Sequence, residues 1–139
     1  MVSRNALPPG RTASIVAGPA AAGEAITCAN AFAESVGLSE DATARLAIIV
    51  EELVLNLVDH DSGVGGQLIG LELRHTEGTV TLVLTDLGEP FDPRDAPAVG
   101  DLPPDRGGGA GLAMIRAWAT IDDYRRDGEH NRLALTLRD

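Results

Sequence analysis

From Ser39 to His60, apolar residues return every three or four positions, at Leu46, Ile49, Val50, Leu53 and Leu57. A few residues later the period falls to two: Leu68 to Arg74 and Thr79 to Thr85 each alternate apolar with other residues. The longer period marks a helix with one apolar face, and the shorter one a strand with one buried side. A chain carrying both must lay helices against a sheet, because each apolar face needs the other to leave water.

The flanking segments extend this pattern. Residues 1–11, with Pro8, Pro9 and Gly10, read as a loose leader, and a single domain is expected over 12–139. Thr12 to Ala17 has the makings of a short strand. Pro19 starts a helix well, Ala20 to Val36 is rich in helix formers, and Gly37 is placed to stop it. Ser39 is the expected N-cap of the next helix, with Glu40 and Asp41 in the first turn, where acids suit the helix dipole. Asp61-Ser62-Gly63 through Gly66 breaks that helix. Glu77-Gly78 separates the two alternating runs, the mark of a hairpin.

Asp86 to Gly109 holds five prolines and many glycines and acids, so a long loop is expected. A helix over Ala110 to Thr120 follows it. Strands over Asp122 to Arg126 and Arg132 to Arg138 then turn at Asp127-Gly128. The expected fold class is α/β (α+β): a two-layer sandwich of a mixed β-sheet with helices on one face. The closing hairpin argues against an all-parallel doubly wound sheet.

Composition narrows the function. Hydrophobic residues make up 44% of the 139 but aromatics only 3%, so the core must be Leu, Ile, Val and Ala. A formal charge of −10 argues against nucleic acid, whose phosphates are held by clustered basic residues, and suits a basic protein partner. No apolar run approaches the roughly 20 residues that cross a bilayer, and residues 1–11 lack a signal-peptide core. The sole cysteine, Cys28, excludes an internal disulfide and a cysteine-rich zinc site. A cytoplasmic protein is expected. All eleven basic residues are arginine. Without lysine there is neither a P-loop nor Schiff-base chemistry, so any nucleotide must be held another way.

Three stretches carry chemistry. Glu52 and Asn56 are four apart and share a helical face, with Asp59 and His60 continuing it. A solvated polar face explains such a stripe equally well, yet Asn is a poor helix former, and its carbonyl can hold a hard cation such as Mg2+. Asp86, closing a strand before Leu87-Gly88, reads as a turn residue or as an acceptor for the exocyclic amine of adenine, with Gly88 letting the backbone pass beneath the base. Gly107-Gly108-Gly109-Ala110-Gly111-Leu112 runs glycines into a helix start, either as a hinge or as free N–H groups for phosphates.

Taken in order, Glu52-Leu-Val-Leu-Asn56, Asp86-Leu-Gly88-Glu-Pro-Phe-Asp92 and Gly109-Ala-Gly111-Leu112 resemble the three nucleotide-binding boxes of the gyrase, chaperone and histidine-kinase (GHKL) ATPase superfamily. The Pro90-Phe91-Asp92-Pro93 stretch and the last hairpin are similar to the anti-sigma-factor serine/threonine kinases within it. The resemblance spans nearly the whole domain and implies a Bergerat-type ATP-binding fold. It implies that Asn56 coordinates Mg2+, Asp86 binds the adenine amine beside Gly88 and Phe91, and Asp92 to Gly108 forms a lid. It further implies that Gly107, Gly108, Gly109, Ala110, Gly111 and Leu112 belong to the ATP site, with Gly109 and Gly111 contacting the phosphates, and that Glu52 is the general base. His60 receives only a structural or outer role.

The implied activity is transfer of the γ-phosphate of Mg-ATP to a serine of an anti-anti-sigma partner. A sigma factor or its equivalent would be a second partner, and homodimerisation is implied too. A nucleotide-gated binding module without phosphotransfer, or a water-directed ATPase, is compatible with the same residues. Bulky Leu55 and Leu57 around the asparagine, and the Gly63 to Gly66 run, depart from the family pattern.

Overall fold

The computed structural model describes residues 10–60, 67–87 and 108–139. Its elements run β1 (Gly10–Val16), α1 (Ala21–Val36), α2 (Glu40–His60), β2 (Leu68–Thr76), β3 (Thr79–Asp86), α3 (Gly108–Trp118), β4 (Ala119–Asp127) and β5 (His130–Arg138). The strands form one sheet in the order β1-β2-β3-β5-β4. The two-layer α/β arrangement is the expected one. The expected mixture of strand directions is not present, since all four pairings are antiparallel. β3 and β4 do run the same way, joined through α3, but β5 lies between them and pairs with both. The parallel pair that α3 could have linked is thereby split.

Alternation along the strands decides which side faces the helices. Ile69, Leu71 and Leu73 of β2, Val80, Leu82 and Leu84 of β3, and Leu133, Leu135 and Leu137 of β5 are all buried, and the residues between them are not. The register places Leu71 beside Leu84, Leu73 beside Leu82, and Leu82 beside Leu135, so one continuous aliphatic face results. α1 covers it with small residues, Ala21, Ala25, Cys28, Ala29 and Ala33, around a single fully buried Phe32. Small side chains let α1 and α2 approach closely. Truncating a fully buried leucine such as Leu135 to alanine costs about 2–5 kcal/mol.

The turns follow residue chemistry. Gly37 ends α1 in the left-handed region, at φ 70°, and accepts no Cβ without strain. Ser39 caps α2 as expected, its Oγ accepting the Ala42 N–H at 3.1 Å. Asp139 then anchors that cap. Its Oδ1 accepts the Ser39 N–H at 3.2 Å, and its own N–H donates to the Gly78 carbonyl at 2.8 Å. Its Oδ2 lies 3.7 Å from His75 Nε2, too long for a hydrogen bond. The start of α2 is thus tied to the β2–β3 turn.

Some boundaries differ from the sequence expectation. β1 starts at Gly10 rather than Thr12, because Gly10 and Arg11 pair with Arg74 and Leu73. α3 ends at Trp118 rather than Thr120, since Ala119 and Thr120 already pair with Leu137 and Thr136 of β5. The final turn is Gly128-Glu129 with Gly128 at φ 64°.

In the β2–β3 turn, Glu77 (φ 50°) and Gly78 (φ 75°) both have positive φ, the pattern of a type I′ turn. Glutamate is poorly suited to that first position, and asparagine is well suited. Glu77→Asn is therefore expected to stabilise the chain by about 0.5–1 kcal/mol. Chemical denaturation reads this directly; an unchanged or lower midpoint would show that the turn residue is not limiting.

Candidate functional site

The aliphatic face of the sheet is interrupted at one end by polar residues. The inward positions of β5 read Asn131, Leu133, Leu135, Leu137, and those of β3 end in Leu84 followed two residues on by Asp86. Asp86 and Asn131 are direct cross-strand partners. Opposite them, across a small cavity, stands Asn56 of α2; Leu53, Leu57, Leu84, Tyr124 and Leu133 complete the walls. The cavity volume is about 20 Å³, close to the room one water needs.

Asn131 is 3% exposed and is the hub of the polar end. The Tyr124 hydroxyl and Arg126 Nη1 both donate to its Oδ1, each at 3.0 Å. With its carbonyl occupied by two donors, its amide nitrogen is turned the other way and donates to Asp86 Oδ2 at 3.2 Å. The Asp86 carboxylate is thus oriented by a neighbour whose own rotamer is locked.

Asn56 is the second buried polar residue of the described core, 7% exposed. Its Nδ2 is buried without a hydrogen-bond partner among the described residues. A mid-helix asparagine lining the cavity with Leu53 and Leu84, its amide nitrogen without a partner among the described residues, costs stability. Rotating the amide by half a turn exchanges nitrogen for oxygen without a change of shape. The position therefore suits an oxygen ligand to a hard cation, Mg2+ included. Among the described residues no group of His, Cys, Asp and Glu could hold a metal by itself.

The sequence reading treated Glu52 and Asn56 as one stripe, and the structure separates their environments. Asn56 continues the buried face through Ile49 and Leu53, whereas Glu52 is half-buried and does not line the cavity. The backbone of Gly108, Gly109, Ala110, Gly111 and Leu112 forms the first turns of α3. Free N–H groups at such a start, with the positive end of the helix dipole, suit an anion. Gly88, Phe91 and Gly107, and the segment from Asp92 onward expected to form a lid, lie outside the described residues, as do Gly63 to Gly66.

Asn131, Tyr124 and Arg126 were missed by the sequence reading. A signal for Asn131 was present: a polar residue at an inward position of a strand otherwise reading Leu, Leu, Leu.

Residues 15–137 match the histidine kinase-like ATPase domain family. The chain belongs to that family. As a histidine kinase-like ATPase domain it is an ATP-binding fold, which accords with the Asn56–Asp86 cavity and the glycines opening α3. No curated protein matches the chain significantly. Among solved structures it is similar to the RsbU and RsbW domains of Rv1364c from Mycobacterium tuberculosis, at 19% identity and a TM-score of 0.64. That match covers 94% of this chain and 32% of the other, so this domain spans about a third of that solved chain. At such identity the likeness establishes the shared fold. No helix among the described residues is long and apolar enough to cross a membrane.

In this ATPase domain, Asn131→Leu keeps the size of the side chain but removes the bond that orients Asp86. Adenine-nucleotide affinity is expected to fall about tenfold, the loss of one hydrogen bond to a charged group. Calorimetric titration with ADP measures it; wild-type affinity would show that Asp86 needs no support.

Proposed function

We propose that this domain is an ATP:protein serine/threonine kinase of the anti-sigma type, passing the γ-phosphate of ATP to a serine of an anti-anti-sigma partner. The observation that carries the reading is the buried Asn56 amide, whose nitrogen has no hydrogen-bond partner among the described residues, across one cavity from the oriented carboxylate of Asp86. Membership of the ATPase family and likeness in fold to a structure containing an RsbW domain support it.

In this reading Asp86 accepts the adenine amine, with its second oxygen steadied by Asn131. Asn56 supplies an oxygen to Mg2+, which, when bound, neutralises charge on the phosphates. The N–H groups at the start of α3 receive phosphate oxygens. Glu52, one turn before Asn56 and outside the adenine cavity, takes the proton from the partner's serine hydroxyl as its oxygen bonds to the γ-phosphorus and the bond to the β–γ bridging oxygen breaks, releasing ADP. Catalysis is mostly positioning, so holding the partner's serine in line matters as much as the base.

The test combines the protein, γ-labelled ATP and the anti-anti-sigma-like protein encoded nearest to it, followed by mass mapping. Stoichiometric phosphoserine on the partner supports the kinase. Nucleotide binding with no labelled partner would replace it with the nucleotide-gated binding module.

A further inference from the structure

A second cleft lies at the other end of the sheet. Thr79 and Arg138 are cross-strand partners there, while Asp86 and Asn131 pair at the nucleotide end of the same two strands. The separation along β3 is about 23 Å at roughly 3.3 Å per residue. The cleft is open, with a volume of about 580 Å³, and is lined by arginines from three elements: Arg45 of α2, Arg116 of α3 and Arg138 of β5.

We propose that this cleft binds a small phosphate-bearing anion, at a site separate from the nucleotide pocket. The local charge is the first reason. The chain carries a net charge of −10, yet among the described residues three of its eleven basic residues line one cleft with a single acid, Asp122. That acid is engaged: Asp122 is the extra residue of the β4 bulge, and its carboxylate accepts the Thr136 hydroxyl in a short contact. Arg45 does have an ion pair, with Asp41 at 3.2 Å. Its partner's side chain is 83% exposed and one helical turn away, and such pairs yield readily.

Geometry is the second reason. Guanidinium groups offer flat pairs of donors that match phosphate oxygens, and donors from three directions suit a multi-oxygen anion better than a single carboxylate. The volume is that of a small-molecule site and too small for a folded partner. The carbonyl end of α3 opposes an anion here, and Arg116 in its last turn offsets that end.

The cleft contains its own reporter, because Trp118 is on its wall and is the sole tryptophan of the chain. Inorganic phosphate and pyrophosphate, titrated at constant ionic strength, are expected to change Trp118 fluorescence saturably and to release or absorb heat in parallel calorimetry. Arg138→Gln and Arg45→Gln, each checked for an intact fold by circular dichroism, are each expected to weaken binding at least about tenfold, one charge-assisted contact. Asn56→Ala, altered at the far end of the sheet, is expected to leave the titration unchanged. Three results overturn the proposal: no saturable signal by either method, an equal change with chloride, or wild-type affinity in both arginine variants.

Discussion

The Asn56→Ala variant is expected to lose Mg-ATP binding by at least about 100-fold while folding at least as stably as the wild type. Removing even an outer-shell group of a metal site typically costs about 10–100-fold, and a direct ligand costs more. Stability moves the other way because the Asn56 amide nitrogen is buried without a partner among the described residues. Alanine removes that unsatisfied group and favours the helix, which together are worth about 1 kcal/mol or more. Most buried residues of α2 behave oppositely: truncating Ile49 or Leu53 opens a cavity and destabilises. Calorimetric titration with Mg-ATP alongside thermal melting distinguishes the two kinds of residue. A variant that binds normally, or that melts several degrees lower, would make Asn56 a structural amide and remove the metal role.

Glu52→Gln is expected to retain nucleotide within about twofold and to lose phosphotransfer by about 100- to 10,000-fold, the usual range for removing a general base. The separation follows from placement. Glu52 is half-buried on α2 but outside the walls of the Asn56–Asp86 cavity, so under the proposed binding mode the adenine does not depend on it. Glutamine keeps its shape and hydrogen-bonding length while removing the proton acceptor. Rapid-quench measurement of labelled phosphate reaching the partner, with ADP affinity measured on the same sample, reads both effects. Transfer at the wild-type rate would transfer the base role elsewhere and leave Glu52 as a surface carboxylate. Loss of nucleotide and transfer together would mean that it shapes the pocket.

These two variants probe residues that the sequence marked, and they show how far periodicity carries. The α2 pattern placed Ile49, Leu53 and Leu57 on one face, and a spacing of four tied Glu52 to Asn56. What the spacing could not say was which of the two polar residues turned inward. A helical sector is about 100° wide, so residues four apart straddle its edge. Burial against β3 and β5 settled the matter: Asn56 went in and Glu52 stayed at the rim.

The amino-acid sequence by itself determined the local grammar: Gly37 stopping α1, Ser39 capping α2, Glu77-Gly78 turning a hairpin, and the alternating faces of β2, β3 and β5. These depend on neighbours within a few residues, and backbone sterics and side-chain period are enough to set them. Only the tertiary structure decided that β5 inserts between β3 and β4, and hence that Asn131 stands beside Asp86 across 45 residues of chain. Strand order follows from which faces can bury together, a property of the whole sheet that no local window contains.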